Sequence, residues 1–206
     1  TPASISQPAQ NTAMTAEPPF EPSPPRGAVL QAWLRAEPTP RESLVFGLIL
    51  ALLATLPVLV ATYPQMVDYP AHLARFHVML KRDGSAVLQQ YYGFKSRWMG
   101  NLGADHPIRA LVQAMPRGSA GWLIAMILPL INGLAILTVE WTLRKRIGLA
   151  SMLGFSFIWS PSLLLGFLNF MIAQALALFA FALWVKLDGS RWRNPLFIPI
   201  GLVVWL

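Results

Sequence analysis

The chain has 206 residues, 55% of them hydrophobic and only 12% charged, where a soluble domain carries about 25% charged residues, and the shortfall points to a membrane protein. The formal net charge is +7, but the basic residues are not gathered with aromatics into a soluble patch, which argues against nucleic acid as a partner. Cysteine is absent, which excludes disulfides and thiolate metal sites, and three His with nine acids leave little for any other metal centre.

Residues 1–42 are rich in Pro, Ala, Ser and Thr, as in "EPPFEPSPPRG", and have few apolar groups to offset their ordering entropy. They are expected to form a disordered cytoplasmic tail, with "GAVLQAWLRAE" (27–37) able to make an amphipathic turn or two on the membrane surface. The first greasy segment starts too far into the chain, and lacks the small-residue pattern, for a cleavable signal peptide.

That segment, 44–62, carries no charge and is long enough to span, with Pro57 expected to kink it. A second span is expected near 119–139, containing Pro129 and Asn132, where a buried amide suits an interhelical hydrogen bond. No charge occurs between Arg146 and Lys186. Pro161 and Gly166 divide this stretch into two spans, near 148–160 and 167–185. A fifth apolar run begins about Pro195 and covers only residues 195–206, where a span needs about 20 residues. The expectation is therefore an all-α, polytopic membrane protein, read here as the N-terminal part of a longer one.

Arg35 and Arg41 precede the first span, "RKR" (144–146) follows the second, and Lys186, Arg191 and Arg193 follow the fourth. Alternating spans put these on one side, which the positive-inside rule makes cytoplasmic together with the N-terminus. The loop 63–118 then lies outside, although it holds Arg75, Lys81, Arg82, Lys95, Arg97, Arg109 and Arg117 against only Asp68, Asp83 and Asp105. Positive charge on the outer face calls for an anionic partner.

Within this loop, Pro70 suits the first turn of a helix running to Gly84, with Asp68 just ahead of it. Tyr69, Leu73, Phe76 and Leu80 form an apolar stripe, whereas Asp68, His72 and Arg75 recur at i, i+4 and i+7 on another face. Such a helix lies along the bilayer interface. A second amphipathic piece, "HPIRALVQAM", follows Asp105, which is placed to cap it. Tyr91, Tyr92 and Trp98 suit an aromatic belt. Asp68 has two readings: a helix cap, or a partly desolvated carboxylate acting as a base. His72 and Arg75, likewise, are either solvated and lipid-facing or stabilise a phosphate as charge develops on it.

The segments "DYPAHLARFHVM" (68–79), "GNLGAD" (100–105) and "GFLNFMIAQALALFAFALW" (166–184) resemble polytopic bacterial membrane proteins and, more broadly, the GT-C type of integral-membrane glycosyltransferases. The resemblance covers roughly residues 63–185. It implies a multi-span bacterial inner-membrane enzyme that uses a polyprenyl-phosphate sugar on the periplasmic side. Asp68 matches the catalytic acid of the first outer loop. His72, Arg75 and Arg97 would handle phosphate, and Asp105 would be a second acid that helps bind a divalent cation or the acceptor; no other cofactor is implied. The competing expectation is a non-catalytic subunit whose helices pack against other membrane subunits.

Overall fold

The computed structural model describes residues 38–93 and 103–205, which are all-helical, with no strand among them. The expected tail to residue 42 gives way to helix α1 (Pro40–Leu53) within its last residues. The reason is a capping box: the Thr39 N–H donates to Glu42 Oε2 at 2.8 Å, the Glu42 N–H donates to Thr39 Oγ1 at 3.3 Å, and Pro40 opens the helix. The first apolar stretch breaks at Ala54–Thr55, and α2 (Leu56–Val60) follows. Pro57 thus sits in the first turn of a new helix rather than kinking a continuous one. Proline has no N–H and crowds the carbonyl four residues back, so the chain breaks just before it.

The segment between the first two long apolar stretches forms α3 (Tyr69–Lys81), a 3₁₀ turn at Arg82–Gly84, α4 (Ala86–Tyr91) and α5 (Asp105–Leu111). Helix α6 (Arg117–Arg144) has 28 residues, or about 42 Å at 1.5 Å per residue, and overshoots the expected 119–139 at both ends. It ends on Lys145 in the left-handed conformation, φ 57°. The uncharged stretch after it is more broken than periodicity suggests. The expected span at 148–160 is the eight-residue α7 (Leu149–Ser156), and then α8 (Pro161–Leu164) after a turn. Ser160 is extended, as a residue before proline prefers, and this interrupts the helix. Helices α9 (Leu168–Lys186) and α10 (Arg193–Trp205) complete the described chain.

Three helical stretches are long and apolar enough to cross a membrane: Pro40–Val60, Gly118–Arg144 and Leu168–Lys186. Helix α6 is the central one. α1 runs antiparallel to it, so that Gly133 faces Ala51 and the Trp122 indole N–H donates to the Ala61 carbonyl at 3.3 Å. α9 runs parallel to it. Asn132 joins the two, its amide N–H groups donating to the carbonyls of Leu128 at 2.9 Å and Met171 at 3.1 Å.

The ends of the bundle differ in character. One end gathers Arg41, Arg144–Arg146 and Lys186, which puts these basic groups together. There the Ile147 N–H donates to Ser43 Oγ at 3.1 Å, and Glu140 caps α7 by accepting from the N–H groups of Gly148 and Ser151 at 3.0 and 2.9 Å. A carboxylate at the positive end of that helix replaces the partners its first amides lack. At the other end α3, α5 and the α8–α9 turn close over the first turns of α6. The larger core lies here, and includes Val58, Tyr69, Phe76, Ile108, Leu128 and Met171. Full burial of such a side chain is worth about 1.5–3 kcal/mol, so this end is a built platform rather than a loose loop.

Candidate functional site

The platform is assembled around the start of α3. Met66 and Tyr69 are buried, and the backbone between them rests on the α8–α9 turn. The Val67 N–H donates to the Leu164 carbonyl at 3.2 Å, and the Asp68 N–H to that of Leu165 at 2.9 Å. Gly166 makes this approach possible. Its φ is +84°, and a Cβ there would lie 3.2 Å from the Asp68 nitrogen and 3.3 Å from that of Tyr69. A side chain would be both strained and obstructed by backbone.

Asp68 stands at the N-cap of α3 but its side chain accepts no capping hydrogen bond. Its backbone, φ −88° and ψ −1°, is already helical, whereas a capping side chain reaches the next amides from an extended residue. The capping reading is therefore corrected. Asp68 instead lines a cavity of about 330 Å³ with His72, Phe167, Leu168, Asn169 and Phe170.

His72, one turn along, is half-buried and places Nε2 3.1 Å from the Gly166 carbonyl oxygen. A carbonyl only accepts, so Nε2 carries the proton and Nδ1 of the neutral ring is left as an acceptor. Burial lowers the pKa of His72, opposed by the bond to Gly166 and by the charge of Asp68. The neutral ring is favoured, which suits orientation and proton acceptance better than holding a phosphate. Because the folded pKa lies below the ordinary 6.5, the contribution of His72 to stability is present above that pH and lost as pH falls toward the folded value. Acidification from about pH 7.5 to about pH 5.5 should thus destabilise the native protein more than the His72→Gln variant, which keeps an N–H for Gly166 but does not titrate. Thermal unfolding in detergent at the two pH values measures the difference.

Arg75 does not line this cavity. It turns to Asp105, with Nε 3.2 Å from Oδ1 and Nη2 2.6 Å from Oδ2, a two-pronged pair. Asp105 is 7% exposed in its side chain and Arg75 46%. The expectation that Asp105 caps the second amphipathic helix is also corrected. It is the first residue of α5, after Ala104, and spends its carboxylate on Arg75. Asn169 holds the neighbouring backbone, accepting the Ala104 N–H at 2.6 Å. This bond joins α9 to the segment that leads into α5.

The quoted segments 68–79, 103–105 and 166–184 thus meet at one place. Residues 100–102 and Arg97 lie outside the described residues. Of the candidates, Asp68 and His72 share the cavity, and Arg75 and Asp105 form an adjoining clamp. Gly166, Asn169, Phe167 and Phe170 are site residues that sequence reasoning did not assign. Tyr69 packs edge-on against Tyr63 at 5.1 Å, and burial pushes its phenol up to about 12. Among the described residues, no three His, Asp or Glu side chains gather as a metal site.

Compared with family models, with curated proteins and with solved structures, the chain matches none.

Proposed function

We propose that the chain is a bacterial inner-membrane protein of glycosyltransferase type, its basic end cytoplasmic and its platform periplasmic, transferring a sugar from a polyprenyl-phosphate donor. The observation that carries this reading is that Asp68, whose side chain makes no capping bond, lines a cavity together with His72. Asp68 acts as the base. It takes the proton of an acceptor hydroxyl as that oxygen bonds to the sugar's anomeric carbon and the bond to the lipid phosphate breaks. The exposed edge of Arg75, and Arg97, supply positive charge for the departing phosphate. His72 orients the acceptor through Nδ1. Phe167 and Phe170, 44% and 55% exposed, offer apolar faces for a sugar ring or a lipid tail.

The test is transfer of labelled sugar from a polyprenyl-phosphate donor in membranes carrying either the native chain or Asp68→Asn. The pairing of Arg75 with Asp105 favours a second reading, in which the platform is a structural docking surface for other membrane subunits. Transfer that is indifferent to Asp68 would select it.

A further inference from the structure

Beyond the cavity, α3 continues into a hairpin with α4, and this hairpin has a feature of its own. Helix α4 has six residues and buries none of them. An isolated helix this short is not stable in water, yet Val87, Tyr91 and Tyr92 stand 65%, 72% and 52% exposed. The frame beneath them is held by polar bonds rather than by a core. Ser85 Oγ accepts the Leu88 N–H at 3.3 Å, Arg82 Nε donates to the Tyr92 carbonyl at 2.6 Å, and Gln89 Nε2 donates to that of Asp83 at 2.9 Å. The hairpin is thus built to present its apolar side chains outward.

Beside them is a cavity of about 600 Å³, lined by His77, Leu80 and Lys81 from α3 and by Ser85, Val87 and Leu88 from the α4 side. An ammonium, an imidazole and a hydroxyl share it with three aliphatic side chains. The hairpin's one acid, Asp83, lies 3.2 Å from Arg82, which offsets its charge. We infer that this hairpin is a clamp for anionic phospholipid, seating a lipid phosphate at Lys81, His77 and Ser85 and laying Val87 and Tyr91 among the adjoining acyl chains. Charge and apolar walls belong together in such a ligand, because its phosphate is attached to its hydrocarbon. A free anion would leave the aliphatic walls unused. The inference rests on the spans crossing a bilayer and is independent of any role for Asp68.

The chain has no cysteine, so Gln90→Cys gives a single attachment point on α4 for an environment-sensitive fluorophore. The full chain is placed in nanodiscs of phosphatidylcholine or of an equimolar mixture with phosphatidylglycerol, each with acyl-spin-labelled lipid as quencher. Quenching should rise at least about twofold with the anionic lipid, since basic residues are drawn toward such a surface. Lys81→Glu, or Val87→Ser with Tyr91→Ser, should remove the rise. Inorganic phosphate added to phosphatidylcholine discs should reproduce none of it. Equal, weak quenching in both lipids, or a response to inorganic phosphate alone, would overturn the inference. A label at Leu48→Cys in α1 should be quenched in both discs. Its failure to be quenched would overturn the span reading, and the clamp with it.

Discussion

Asp68→Asn should lower sugar transfer by about 10²–10⁴-fold, the contribution of a positioned base, while leaving the protein folded. The amide has the shape of the carboxylate but cannot take a proton at neutral pH. Nothing structural is expected to go with it, because Asp68 makes no capping bond and its tie to the α8–α9 turn runs through the backbone N–H. Surface changes of this kind move stability by about 0.5 kcal/mol or less. Asp68→Glu keeps the charge but displaces it, and should recover part of the rate. Unchanged melting with lost transfer is the expected pattern. Unchanged transfer would remove Asp68 from the chemistry and leave the platform as a docking surface.

Arg75→Ala should destabilise the protein by about 2–3 kcal/mol, the cost of leaving a buried charged acceptor without its partner. Asp105 is buried and gives both carboxylate oxygens to Arg75, so truncation strands it, although the half-exposed Arg75 lets some water replace the guanidinium. The damage should spread, because Ala104, the residue just before α5, is bonded to Asn169 at the cavity wall. Asp105→Ala alone should cost less, since the remaining guanidinium can turn to water. The double variant should fall short of the sum of the two by about 1–3 kcal/mol, as residues in direct contact do. Denaturation in mixed micelles measures all four proteins, and strictly additive costs would show that the pair does not bind the platform together.

The contrast between those residues explains what the sequence could tell. Long apolar stretches and the stripe of Tyr69, Leu73, Phe76 and Leu80 are local signals, and the helices they announce are present with Tyr69 and Phe76 buried. The break at Pro161 and Gly166 was legible as well, because proline and glycine announce it, and the helix after it, Leu168–Lys186, lies where it was expected; apolar composition hid only that the piece before it stops being helical at Ser156. The partners within the site are not local at all. Arg75 meets an acid 30 positions away, and His72 meets a carbonyl 94 positions away. No spacing rule joins them. The two capping expectations failed for a geometric reason: at Asp68 the backbone is already helical, and at Asp105 the helix has begun one residue earlier than a cap requires. Asp68 nevertheless emerged from sequence as a candidate base, since an acid at the start of an amphipathic helix can serve as one whether or not it caps.

The central claim is that the Asp68 cavity opens at the outer end of the bundle, opposite the basic turns. The most direct measurement is thiol labelling of single-cysteine variants in intact cells with a membrane-impermeant maleimide, using Phe170→Cys at the cavity wall and Ser190→Cys beyond the end of α9. The account predicts that Phe170→Cys reacts in intact cells and Ser190→Cys only after permeabilisation. The reverse pattern would place the cavity in the cytoplasm and contradict it.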